Sequence, residues 1–340
     1  MSTLTKLRLK PCLWLLASLV IISILAFESR SLLASDGISY LDHFYGVSAV
    51  GTDDVWVCGN AGNIFHSSDQ GATWSKQKTP VQAAWYDICF ADRNTGWAVG
   101  ELGSLIKTSD GGKNWVQQKI EAGYGSASPS KITYKLFKLC ALDTKPVWIT
   151  GEWGTVLYSG DGGATWELKK QKEDYLLNDI SFTNRSCGAA VGEFSNVIYT
   201  NDAGNTWSKI GLPFKDRSLF GVCFSGNSEI WCCGIDGTIM KIKPDPLEVA
   251  SANSPIRKLL HAIKIIDNFG LAIGNEGTCL LSTDGGTSWS RQNVGASFWL
   301  CDAEVIKKND KYYCWLVGGH GYVSLFEVTK EGLVKVTKKQ

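Results

Sequence analysis

From residue 44 onward, the chain falls into short apolar–polar alternations broken by turns rich in Gly, Asp, Asn and Ser. Residues 85–119 set the pattern. WYDICFAD reads as an alternating strand, TGWAVGE as a second, SLIKTSD as a third and NWVQQKI as a fourth, with short turns between them.

The third turn of this unit carries a motif that recurs. SSDQGATW (67–74), TSDGGKNW (108–115), SGDGGATW (159–166), TNDAGNTW (200–207) and STDGGTSW (282–289) share the Asp-box form S/T-x-D-x-G-x-T/S-W. An Asp in a tight turn accepts backbone N–H groups, the Gly two residues on takes a positive φ, and the Trp starts the next strand and covers the turn. Asp69, Asp110, Asp161, Asp202 and Asp284 are therefore structural residues. They stand 41, 51, 41 and 82 residues apart, so one repeat lacks its box.

A second marker, a turn close to G-x-x-G, begins at 59, 100, 151, 192, 234, 274 and 318, which makes seven units. Four antiparallel strands in about 41 residues form one propeller blade. The predicted architecture is all-β, a seven-bladed β-propeller over residues 36–340, with blades at about 44–79, 85–119, 135–172, 177–211, 219–250, 260–294 and 299–338. The insertion EAGYGSASPSK (121–131) explains the 51-residue interval. In blade 5, KPDPLEV replaces the box and Lys243 stands at the Asp position. The C-terminus supplies all four strands of blade 7, so ring closure lacks a shared blade unless SYLDHF (39–44) adds an outer strand.

Residues 1–34 are of another kind. Lys6, Arg8 and Lys10 precede an apolar run ending at Phe27, which reads as an export signal, either cleaved or kept as a signal anchor. The repeats are then expected beyond a membrane, in a periplasm or thylakoid lumen, with membrane contact through an uncleaved N-terminus. Residues 1–34 hold four basic residues and one acidic. The remainder has 30 Lys+Arg against 32 Asp+Glu, which gives no field for nucleic acid.

Ten of the eleven cysteines lie in the repeats. Cys89, Cys140 and Cys223 share one strand position and Cys58 and Cys233 another, as small core residues do; disulfide pairing is the alternative. No spacing suits a metal, and no cofactor is expected. Trp56, Trp97, Trp148, Trp231 and Trp315 on second strands, with the five box tryptophans, belong to the scaffold.

The candidate site residues lie on the face that holds the turns between strands two and three. Glu101, Glu152 and Glu193 occupy the second position of that turn in three successive blades, with Asn60 and Asn275 in two others, as a polar arc or as solvated turn residues. Trp85, Trp153, Phe194, Trp299 and His320 are aromatics or His at blade starts and turns, for a protein or sugar patch or for packing. Arg257, Lys258, His261 and Lys264 form a basic cluster in the link after the box-less blade, for an acidic partner. Sialidase chemistry needs an arginine triad and a tyrosine nucleophile. The repeats hold only Arg93, Arg185, Arg217, Arg257 and Arg291, with no F-R-I-P-like segment.

The Asp boxes of the form T-x-D-G-G-x-x-W, the turns W-A-V-G-E-x-G and above all TGWAVGELGSLIKTSDGGKNW (95–115) resemble the photosystem II stability/assembly factor family of cyanobacteria and plastids, over essentially residues 44–340. The resemblance implies a noncatalytic lumenal or periplasmic scaffold that binds a membrane-complex subunit during assembly, a photosystem II core subunit in a photosynthetic host. It implies a basic patch near the box-less blade, matched here by Arg257 and Lys258, although the family's arginine run is absent. A single monomeric ring is expected. Two further readings stand beside it, a generic exported protein- or glycan-binding propeller and a glycoside hydrolase acting through Glu101, Glu152 or Glu193.

Overall fold

The computed structural model describes residues 37–122, 130–170, 173–226 and 228–336. The export signal expected at 1–34 and most of the insertion at 121–131 lie outside them. Seven four-stranded antiparallel sheets, each with its strands in chain order, are arranged as blades around a central channel. The inner strands are Phe44–Val50, Trp85–Phe90, Leu136–Ala141, Leu177–Phe182, Leu219–Ser225, Leu260–Ile266 and Leu300–Lys308. What remains of the insertion is a small ribbon, Glu121–Ala122 paired with Ser130–Lys131.

Each inner strand opens on a fully buried apolar residue: Phe44, Trp85, Leu136, Leu177, Leu219, Leu260 or Leu300. That residue pairs with the Gly closing the second strand, and a bulge follows at once. The Gly is required by sterics. A Cβ at Gly59, Gly100, Gly192 or Gly274 would stand only 1.8–2.0 Å from the carbonyl oxygen of the incoming connection. The G-x-x-G marker is thus where one blade's turn touches the chain entering its own inner strand.

The Asp boxes form as expected. Asp161 Oδ1 accepts Thr165 N–H at 2.9 Å and Ser159 Oγ–H at 2.8 Å, Oδ2 accepts the Thr165 hydroxyl at 2.7 Å, and Ser159 Oγ accepts Gly163 N–H at 2.6 Å. These donors favour the ionised form, holding Asp202 and Asp284 at about 2 and Asp161 lower still. In blade 5, strands Ile239–Pro244 and Leu247–Ser251 join directly, and Lys243 pairs with Glu248 at 3.0 Å across that hairpin.

The second-strand tryptophans bracket neighbouring blades. Trp56 Nε1–H donates to Gly111 O at 3.1 Å and Trp97 Nε1–H to Gly162 O at 3.2 Å, each reaching the box of the next blade. Trp315 of blade 7 closes the ring by packing alone, on Gly71 and edge-on to Trp74 of blade 1.

Among the described residues closure uses no shared strand. Residues 39–44 do not add an outer strand to blade 7, whose sheet is Leu300–Lys308, Lys311–Gly318, Val323–Thr329 and Gly332–Lys335. Ile38 instead packs between blades 7 and 1, Gly321 N–H donates to Asp42 O at 2.7 Å, and Lys308 Nζ–H donates to Thr52 Oγ1 at 2.9 Å. At the channel, buried Asp302 accepts Val47 N–H at 3.2 Å and the Lys138 ammonium at 2.9 Å.

All ten described cysteines are free. Cys58, Cys233 and Cys223 are core residues as expected, and Cys89 and Cys140 pack against core clusters; Cys89, Cys140 and Cys223 also border the channel cavity.

Two stability predictions follow from this geometry. Asp161→Ala strips acceptors from the box turn and lowers unfolding free energy by about 1–2 kcal/mol, whereas Lys243→Ala leaves it nearly unchanged; equal losses in denaturant titrations would refute the assignment of the box. Asp302→Ala leaves Val47 N–H without its buried acceptor and Lys138 with Asp87 alone, and costs about 1–3 kcal/mol. A denaturation midpoint near that of the unaltered chain would show that closure does not depend on it.

Candidate partner-binding face

The turns between second and third strands lie on one face with the blade connections. In four blades the second turn residue clips the connection at two points. Glu101 donates its N–H to Ala84 O and accepts Ala84 N–H on Oε2; Glu152 does the same with Lys135, Glu193 with Leu176 and Asn60, through Oδ1, with His43, at 2.9–3.2 Å. Asn275 keeps the backbone bond, to Leu259 O, and offers Oδ1 to His261 Nε2 at 2.9 Å. The polar arc is therefore a set of connection clips, and among the described residues only Glu152 and Glu193 of it border a common cavity. Among the described residues no group of three His, Cys, Asp or Glu has the spacing of a metal site.

The following residue takes a left-handed conformation in every blade: Ala61, Leu102, Trp153, Phe194, Asp236, Glu276 and His320, with φ between 52° and 60°. Leu102, Trp153 and Phe194 are 75%, 53% and 60% exposed in consecutive blades. His320 instead joins a cluster at the blade 7–blade 1 seam, stacked on Tyr40 at 4.2 Å, 3.9 Å from Phe298 and near Trp299. Trp85 is removed from the candidates, since it opens an inner strand and is fully buried.

The expected basic cluster separates. Leu260–Ile266 is an inner strand, not part of an irregular link, so His261 is half-buried on Asn275 and Lys264 faces the channel. Arg257 stays exposed and Lys258 is ion-paired with Glu276. The fold adds Arg217, which bonds Thr238 Oγ1 at 3.1 Å and lies over the Phe214 ring; Lys258 O accepts Gly237 N–H of the same blade 5 turn. Arg217, Arg257 and Lys258 thus border one turn. Arg217 could not be placed with them from sequence, being 40 residues from Arg257.

The channel holds a cavity of about 470 Å³ lined by the middle and later residues of the inner strands, away from this face. Its wall carries Asp87, Asp179, Asp302 and Glu304 against Lys138 and Lys264. Asp87, Asp179 and Asp302 share one inner-strand position in blades 2, 4 and 7, and accept Leu139, Val222 and Val47 N–H of the next blade. Lys138 spans the ring from Asp87 at 3.1 Å to Asp302 at 2.9 Å. Desolvation pushes Asp87 up to about 6 against the pull of Lys138, and Glu304 up to about 7 against Lys264. Burial likewise raises the Cys140 and Cys223 thiols to about 12, which disfavours their thiolate forms.

Residues 74–173 match the family model described as "Photosynthesis system II assembly factor YCF48". The chain resembles the photosystem II assembly-factor family. Among solved structures, "YCF48 bound to D1 peptide" superposes with a TM-score of 0.65 at 19% identity, covering 87% of this chain and 94% of that one. "YCF48 from Cyanidioschyzon merolae" gives 0.65 at 15% identity, covering 84% and 95%. The WD40 propeller domain of Doa1 gives 0.66 at 13%, covering 88% and 97%. Structural likeness at these identities establishes the fold alone, and the resemblance to the assembly factors rests on the sequence match to blades 2 and 3. No curated protein sequence matches the chain.

The channel acids generate a pH prediction. With pKa values raised by folding, Asp87 and Glu304 hold protons where the unfolded chain has lost them. Their contribution to stability is therefore present at low pH and falls as pH rises from about 4.5 to 7. Glu304→Gln flattens this fall. Denaturation midpoints that drop equally in both proteins between about pH 5 and 7.5 would contradict it.

Proposed function

We propose that this chain is an exported, noncatalytic propeller that binds a membrane-complex subunit during assembly, in a photosynthetic host a subunit of the photosystem II core. The observation that carries this reading is the distribution of exposed apolar residues. Tyr40, Leu41, Leu102, Trp153, Phe194 and Phe298 lie on the turn face or its rim, beside a basic edge at Arg217, Arg257 and Lys258. Clustered exposed apolar surface rimmed by charge is the form of a protein-binding site.

The family match supports the role, and a solved propeller of the same fold is described with a bound D1 peptide. Glycoside hydrolysis is the weaker reading, because Glu101, Glu152 and Glu193 each have one carboxylate oxygen committed to a connection N–H. The basic-then-apolar residues 1–34 support a periplasmic or thylakoid-lumenal location for the ring and would supply membrane contact if retained. It acts as a monomer. No helix among the described residues is long and apolar enough to cross a membrane.

The test is binding to overlapping peptides that span the D1 subunit, measured for the unaltered chain and for Arg257→Glu with Lys258→Glu. One peptide is expected to bind and to lose affinity about tenfold or more in the double variant, with unchanged circular dichroism. Binding of no peptide would reject the D1-type partner, and binding untouched by the reversal would remove the basic edge.

A further inference from the structure

Between the turns of blades 3 and 4 lies a cavity of about 300 Å³ lined by Trp153, Tyr175 and Phe194 together with Glu152, Asp174 and Glu193. Trp153 and Phe194 gain little from burial where they stand, and both sit at a left-handed position occupied in blades 1, 5 and 6 by Ala61, Asp236 and Glu276. Packing within the propeller does not call for large rings there.

The carboxylates are also underused. Glu152 and Glu193 each engage a connection N–H with Oε2 alone. Among the described residues none of the three acids has an ion-pair partner. Lys170, the cation beside Tyr175, is tied to Glu173 at 2.7 Å and does not line the cavity. Among the described residues that line it, the cavity therefore combines three aromatic residues with three acids and includes no cation.

We propose that this cavity is a cage for a cationic side chain, Lys or Arg, presented by an extended segment of a partner protein. Aromatic faces attract a cation through their quadrupole, and carboxylates at the rim complete its hydrogen bonds. The volume suits one long side chain and excludes a folded element. The charge is opposite to that of the Arg217–Arg257–Lys258 edge, so the two sites read different residues of a partner. The cage stands whether or not that partner is a photosystem subunit.

The experiment is calorimetric titration of the full chain with a capped Gly-Arg-Gly-Arg-Gly peptide and with the same peptide carrying citrulline in place of Arg. The Arg peptide is expected to bind at least about fivefold more tightly, with Trp153→Ala and Phe194→Ala each removing most of that difference. The triple variant Glu152→Gln, Asp174→Asn, Glu193→Gln, whose side-chain carbonyls still accept the connection N–H groups, is expected to bind both peptides alike. Arg257→Glu with Lys258→Glu leaves the Arg-peptide affinity unchanged or higher, which separates this site from the basic edge. Equal affinity for both peptides, or Arg binding indifferent to Trp153→Ala, overturns the cage. Binding of a xylo- or cello-oligosaccharide lost in Trp153→Ala, with no Arg preference, would make it a sugar site instead.

Discussion

The ring is held shut by a buried carboxylate. Asp302, on the last blade, accepts a backbone N–H from the first and the Lys138 ammonium from the third, and Lys138 carries the link on to Asp87 of the second. A propeller whose last blade borrows a strand from the N-terminus closes by extending a sheet. Here each blade is complete in itself, and side-chain contacts with single backbone bonds join the ends. Removing such charges from water is costly, and only several charge-assisted bonds per group offset the penalty. Asp87, Asp179 and Asp302 offset part of that penalty by bonding the neighbouring strand's backbone.

This closure fixes where the turns stand, and the turns form the working face. The connection clips hold that face at fixed points, while the left-handed residue after each clip projects away from the sheet. Rigid backbone beneath variable side chains lets one scaffold present Leu102, Trp153 and Phe194 over three blades and a basic edge at the fifth. The opposite face is occupied by the Asp boxes, whose side chains are consumed by their own turns.

Blade number and strand order were legible because their determinants are local. An Asp, a Gly and a Trp within eight residues specify a turn, and a Gly that cannot carry a Cβ marks each connection. Closure was not legible, since Asp302 and Lys138 are 164 residues apart and neither stands in a motif. Lys264 was misplaced because it looks continuous with Arg257 and Lys258, yet the strand that begins at Leu260 carries it into the channel. Glu101, Glu152 and Glu193 were found at the right positions, but their bonds to residues seventeen positions earlier give them a structural use that spacing alone does not reveal. The aromatics Trp153 and Phe194 were visible as turn residues, whereas the cavity between them depends on Asp174 and Tyr175 from the intervening connection.

The most direct test of a partner-binding turn face is crosslinking of the tagged chain in its native membranes, followed by solubilisation, purification and mass-spectrometric mapping of both partners and crosslinked residues. In a photosynthetic host the account predicts photosystem II core subunits joined through lysines of the turn face, Lys258 and Lys135 among them, with Asp-box-face lysines such as Lys113 unlinked. Crosslinks concentrated at the Asp-box face, or no such subunit recovered from membranes that contain it, would contradict it.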